Sequence, residues 1–96
     1  MFKKMRSVKL SYVKQGCVYF TCRDFSDQEP IIQQKIINMC MNIAGKRYKQ
    51  LQDIMIRGKD IRTTAIDSQC GYYDVKSSPS TLIALRKKFY EQWFLC

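Results

Sequence analysis

Ser78-Pro79-Ser80-Thr81-Leu82-Ile83-Ala84-Leu85-Arg86-Lys87-Lys88-Phe89-Tyr90-Glu91-Gln92-Trp93 opens with the plainest helix signal in the chain, a serine followed by a proline. A serine N-cap accepts a hydrogen bond from an early backbone amide. Proline at the next position gives up only an N–H that would have no partner there. Leu82, Leu85, Phe89 and Trp93 follow at steps of three, four and four residues and form one apolar stripe. The stretch predicts a helix from 79 to about 94, with Ser80, Thr81, Ile83, Ala84, Lys87 and Lys88 lying off that stripe.

Upstream, Asp60 or Arg62 to Cys70 reads as a short helix with Ile61, Ala65 and Ile66 as its apolar contacts, closed by Gly71. Residues 72–77 read as a turn or loop. Before these, Lys46 to Arg57 forms a helical pattern with Tyr48, Leu51 and Met55 on its inner face, ended by Gly58. A longer helix over 27–44 is predicted from the Ser26/Glu29 capping-box spacing, Pro30, and Ile32, Ile36, Met39, Cys40 and Ile43 at three- and four-residue steps, with Gly45 as the stop.

The first third reads differently. Val8, Leu10 and Tyr12 alternate with Lys9 and Ser11, which is the two-residue period of a half-buried strand. Lys14-Gln15-Gly16 reads as a turn, and Cys17-Val18-Tyr19-Phe20-Thr21-Cys22 as a β-branched and aromatic return strand. The expected fold class is therefore α+β, mainly α. A β-hairpin over 6–22 is followed by a three- to four-helix bundle over 27–94, all within one domain spanning 1–96.

Composition narrows the function classes. With 46% hydrophobic and 12% aromatic residues the chain can fold, and its longest apolar runs fall far short of a membrane span. Lys9 and Lys14 interrupt the stretch that a signal-peptide core would need, so a cytoplasmic protein without a membrane partner is expected. Five cysteines at 17, 22, 40, 70 and 96 show no C-x-x-C spacing and read as reduced thiols, with no metal or other cofactor expected. There is no histidine, the commonest general base near neutral pH, and no phosphate loop or paired-carboxylate motif. The chain reads as a binding protein and not as an enzyme.

Charge points to the partner. Seventeen Lys and Arg against eight Asp and Glu give a net charge of +9, an excess that attracts polyanions. Residues 1–22 carry five cations and no acid, and residues 31–58 carry five against Asp53 alone. Lys46, Arg47 and Lys49 crowd the first turn of a predicted helix, the unfavourable end of its dipole for cations. Either solvation or an external anion accounts for them there. Arg86-Lys87-Lys88 forms a third cluster.

Short consecutive helices, the last one serine-capped and basic, match the plan of a helix-turn-helix unit. In such a unit a small residue lets a second helix cross closely and project its first turns into the major groove. Ala65 is the small residue, Gly71 the turn and 78–90 the recognition helix. Thr63-Thr64-Ala65-Ile66 and Ser78 through Tyr90 resemble the C-terminal half of small helix-turn-helix proteins carried by phages and integrative elements of Gram-positive bacteria. They are similar in flavour to sigma-factor-like DNA-binding regions. The resemblance covers about 30–93, its motifs are short, and it implies transcriptional regulation through Ser80, Thr81, Lys87 and Lys88 on DNA. The segment from Gly71 to Ser78 departs from the pattern, being longer than the usual turn of about three or four residues.

The expected partner is thus double-stranded DNA, met by Ser80, Thr81, Arg86, Lys87, Lys88, Lys46, Arg47 and Lys49, with a homodimer as the natural arrangement for paired half-sites. The rival class is a protein-interaction module, such as an anti-CRISPR-type inhibitor that occupies an acidic or nucleic-acid-binding surface of a host protein. Its anchors would be the aromatics Tyr72, Tyr73, Trp93 and Phe94. A third reading stacks single-stranded nucleic acid on Tyr12, Tyr19 and Phe20.

Overall fold

Five helices carry the architecture of the computed structural model, which describes residues 2–95: α1 Tyr12–Arg23, α2 Pro30–Ala44, α3 Tyr48–Ile56, α4 Ile61–Gln69 and α5 Pro79–Gln92. Single 3-10 turns precede α2 and α3, and a third extends α5 through Trp93–Leu95. No strand occurs among the described residues, so the α+β class and the hairpin over 6–22 are both overturned.

The hairpin fails for a specific reason. Three alternating residues, Val8, Leu10 and Tyr12, are too few to fix a period, and they straddle a helix start. Ser11 caps α1, its side chain accepting from Lys14 N at 3.2 Å. Within α1 the buried face is Gln15, Val18 and Cys22, with Tyr19 packed beside it, a three- and four-residue spacing. A polar glutamine at the head of that face hides the helical period from an apolar count. Gly16 has no positive φ; it sits mid-helix with the Phe2 ring beside it.

Residues 2–10 form an irregular arm held down by Gln15. The fully buried amide accepts from Met5 N at 2.8 Å, and its NH2 lies 3.1, 3.3 and 3.0 Å from the carbonyls of Met5, Val8 and Leu10. One side chain thus satisfies four backbone groups that no strand partner serves. Phe2 seals the arm against Tyr12, Tyr19 and Phe20, with ring centroids 5.5, 5.0 and 6.5 Å away.

The remaining helices follow the sequence closely. Pro30 opens α2, although the expected capping box at Ser26 and Glu29 does not form, since Phe25–Asp27 makes a 3-10 turn and Glu29 caps with its backbone alone. Asp60 caps α4 at Thr63 N (3.1 Å), and Ser78 caps α5 at Thr81 N (3.3 Å). Gly58 and Gly71, at φ 71° and 92°, end α3 and α4 in the left-handed region that glycine adopts without cost. Val18, Ile36, Cys40, Leu51, Met55, Leu82 and Phe89 meet in one core, to which every helix contributes. Among the described residues no helix is long and apolar enough to cross a membrane.

Candidate nucleic-acid interface

Leu82, Phe89 and Tyr90 turn α5 inward, and the opposite side is left to solvent. Ser80, Ile83, Ala84 and Lys88 are exposed and Lys87 half-exposed, and their spacing puts them along the outer side of one helix. Ser80 and Thr81 cluster around the cap, their hydroxyls 3.1 and 3.0 Å from Ser78 Oγ. Pro79 has no N–H and the Thr81 amide is taken by the cap, so hydroxyls are the donors this helix end offers a phosphate, and small side chains further along suit a groove floor.

Behind this face, α4 packs on α5 with Ile61, Thr64, Ala65 and Ser68 buried. The segment joining them, 70–78, is long but tied at several points. Ser68 Oγ accepts from Ser77 N at 2.9 Å and lies 3.1 Å from Ser77 O and 2.6 Å from Ala65 O. Arg47 donates from Nε to Ser77 Oγ (2.8 Å) and from Nη2 to Lys76 O (3.2 Å), while Gln50 donates to Val75 O (2.6 Å). Tyr73 donates to Asp53 and accepts from Lys59 (3.0 Å), which also pairs with Asp67 at 2.6 Å. These partners hold the Lys59 ammonium above its usual pKa, the Asp67 hydrogen bond most of all. Burial, and then the bond to Asp53, raises that of Tyr73.

The structure therefore joins two regions that the sequence keeps 30 residues apart. Arg47 links the turn before α3 to the front of α5 and, with exposed Lys76, gives that end positive charge, while exposed Lys46 lies beside Tyr73 and Asp74. Arg47 is at the same time a loop clamp, a role with no sequence signal because its partners are a serine and a backbone carbonyl. Lys49 is exposed at the second position of α3, its ammonium 6.0 Å from the Tyr48 ring centroid. Arg86 is the outlier among the expected contacts. It is half-buried and turns away from the outer face into a cleft with Arg23 and Tyr90.

Charge compensation is sparse. Among the described residues two ion pairs form, Arg57–Asp53 and Lys59–Asp67, both at 2.6 Å. Lys35 is engaged with the Trp93 carbonyl (3.0 Å) and ring. Residues 57–60 join α3 to α4 in a connection of four residues, whereas the one expected to be the turn, between α4 and α5, is longer. The outer side of α4 carries Arg62, Thr63 and Ile66, with Arg62 its lone cation.

The aromatics named for the other readings divide. Trp93 is buried beside Phe89, Tyr73 is tied into the loop, and Tyr72 and Phe94 are exposed. Tyr19 is covered by Phe2 and by the Arg23 guanidinium 4.2 Å from its centroid, which leaves Tyr12 and Phe20 half-exposed around Phe2. Cys22 and Cys40 are buried and their thiols are pushed up to about 12 by burial, whereas Cys17 and Cys70 are exposed; Cys96 lies outside the described residues. Comparison with protein-family models, curated proteins and solved structures finds no match for this chain.

Proposed function

We propose that this chain is a duplex-DNA-binding protein that lays the outer side of α5 in the major groove. The observation that carries the reading is the convergence at one helix end. Ser80 and Thr81 stand at the N-terminus of a 14-residue helix, Arg47 is tied to Ser77 and Lys76 just ahead of it, and the exposed side continues through Ile83, Ala84, Lys87 and Lys88. Cations and hydroxyls at the rim suit phosphates, while the short side chains of Ser80 and Ala84 let the helix sit deep enough for Ile83 to meet a thymine methyl. The tied 70–78 segment favours the same reading, because it fixes α5 relative to α4 despite its length.

Within this proposal the role is transcriptional regulation in an intracellular setting, as the resemblance of residues 63–90 implies, with dimerisation supplying a second α5 for a paired half-site. Fluorescence anisotropy against a random duplex and the matching single strand, each at two salt concentrations, tests it. The expected result is preference for duplex and a fall of about 10³ or more in affinity from 50 to 200 mM salt, the mark of several phosphate contacts. Equal binding to both forms, or none at low salt, would remove the groove from the account.

A further inference from the structure

A second cationic feature lies off the outer side of α5 and plays no part in the proposal above. The arm, α1, the end of α3, the turn at 57–60 and the inner flank of α5 enclose a cleft of about 220 Å3. Lys3, Arg23, Lys59 and Arg86 line it against a single acid, Asp60. Asp60 is committed to the α4 cap and Lys59 to Asp67, which leaves Lys3, Arg23 and Arg86 as the uncompensated charges.

The two arginines are held within the cleft by the fold, and Lys3 lies at its rim on the arm. Arg23 is braced over the Tyr19 ring and donates from Nη1 to the last carbonyls of α3, Ile54 at 3.4 Å and Met55 at 3.0 Å. Gly58 leaves the room this guanidinium needs, since a Cβ there would fall 2.6 Å from Arg23 Nε. Neutral carbonyls orient the guanidinium but leave its charge unmatched. Arg86 is half-buried and makes no hydrogen bond or ion pair among the described residues. A guanidinium with no protein acceptor keeps its fork of donors open to an incoming anion. The buried phenol of Tyr90 stands on the same wall, an O–H donor at neutral pH.

We infer that this cleft binds the phosphate group of a small phosphorylated ligand through Arg86, Arg23 and Lys3, with Tyr90 as a neutral donor. Planar guanidinium forks match phosphate geometry. The volume is below the ~300–1,000 Å3 of pockets that hold drug-sized molecules, which suits a phosphate carrying little else. Because α5 forms both the cleft wall and the outer face, an occupant would bear on the helix proposed to meet DNA.

The test is calorimetric titration with inorganic phosphate, then pyrophosphate, at ionic strength held constant with chloride. Wild type is compared with Arg86→Met, Lys3→Met and the outer-face control Lys88→Met, and the melting temperature of each is checked first. Lys3 lies on the exposed arm, so its variant keeps the test valid if Arg86→Met folds poorly. Saturable binding that weakens about tenfold or more in Arg86→Met and Lys3→Met, stays unchanged in Lys88→Met, and persists with saturating duplex DNA is the expected result. No saturable binding above the chloride background, or equal weakening in all three variants, would overturn the site. Displacement of phosphate by duplex would assign the cleft to a backbone phosphate and overturn the small-ligand assignment. Loss of duplex binding with phosphate binding intact leaves this site standing while removing the DNA reading.

Discussion

The arm with α1 at one end of the chain and α4–α5 at the other solve the same problem with different visibility. In each, one buried polar side chain organises an irregular segment: Gln15 holds residues 2–10, and Ser68 holds the approach to Ser78. At the C-terminal end the helices also announce themselves locally, through Ser78-Pro79 and an unbroken apolar stripe. At the N-terminal end the stripe begins with a glutamine, and the only cap is a serine embedded in an alternating run. Buried polar anchors are therefore as structural as leucines, but a reading based on apolar period passes over them.

The largest effect expected on both regions comes from alkaline pH. Cys22 on α1, Cys40 on α2 and Tyr90 on α5 are raised to about 12 in the fold, chiefly by burial. Unfolded thiols titrate near 8.5 and tyrosine near 10. The unfolded chain thus releases these protons first, so their stabilising contribution is complete below about pH 8 and is lost as pH rises toward 12. Unfolding free energies from urea titrations at pH 7 to 11 should fall by several kcal/mol, since each pH unit between the folded and unfolded pKa of one group corresponds to about 1.4 kcal/mol. A flat profile would mean the thiols are not buried as described.

The two anchors can then be separated. Gln15→Ala takes the side-chain partner from four backbone groups of the arm, of which the Met5 and Val8 carbonyls keep a backbone donor, and should cost about 3 kcal/mol, and Ser68→Ala about 2 kcal/mol, in denaturant unfolding. Ser68→Ala should also weaken duplex binding the more strongly, because its segment leads into the first turn of α5, whereas the arm meets α5 near its far end, where Lys9 N donates to Glu91. If Gln15→Ala weakened it equally, the arm would belong to the DNA surface. The smallest effect is the sharpest on secondary structure: Gly16→Ala should stabilise by about 0.5–1 kcal/mol, since alanine suits a helix interior and its methyl meets the Phe2 ring at an ordinary 3.7 Å. A glycine in a hairpin turn with positive φ would respond with a loss.

Much of the helical part was legible. The helices predicted over 46–57, 60–70 and 79–94 correspond to α3, α4 and α5 within a few residues, because capping and glycine stops are local chemistry. The hairpin was not, since three alternating residues carry too little information against Ser11, whose capping role depends on the residues after it. Of the expected contact residues, Ser80, Thr81, Lys87 and Lys88 lie together on α5, Arg47 adjoins its front, and Lys46 lies beside Tyr73 and Asp74 of the preceding loop. The inward turn of Arg86 was foreseeable from its place beside Leu82 and Phe89 on a helical wheel, whereas its cleft depends on chain folding from residue 3 and residue 58. Arg47's clamp on Ser77 could not be read from sequence, being a contact across 30 positions to backbone and hydroxyl.

The measurement that bears most directly on the account places one carboxylate on either of two exposed helix positions. Ala84→Glu sits on the outer side of α5, and Ile31→Glu sits on α2; both lower the net charge by one and neither disturbs the core. Duplex affinity is compared by anisotropy at fixed salt. If α5 enters the groove, Ala84→Glu weakens binding by about 10- to 100-fold, the cost of one bad contact at a base edge, and Ile31→Glu by a few-fold at most. Equal effects from the two substitutions would show that net charge alone drives binding, and would contradict the placement of α5 on DNA.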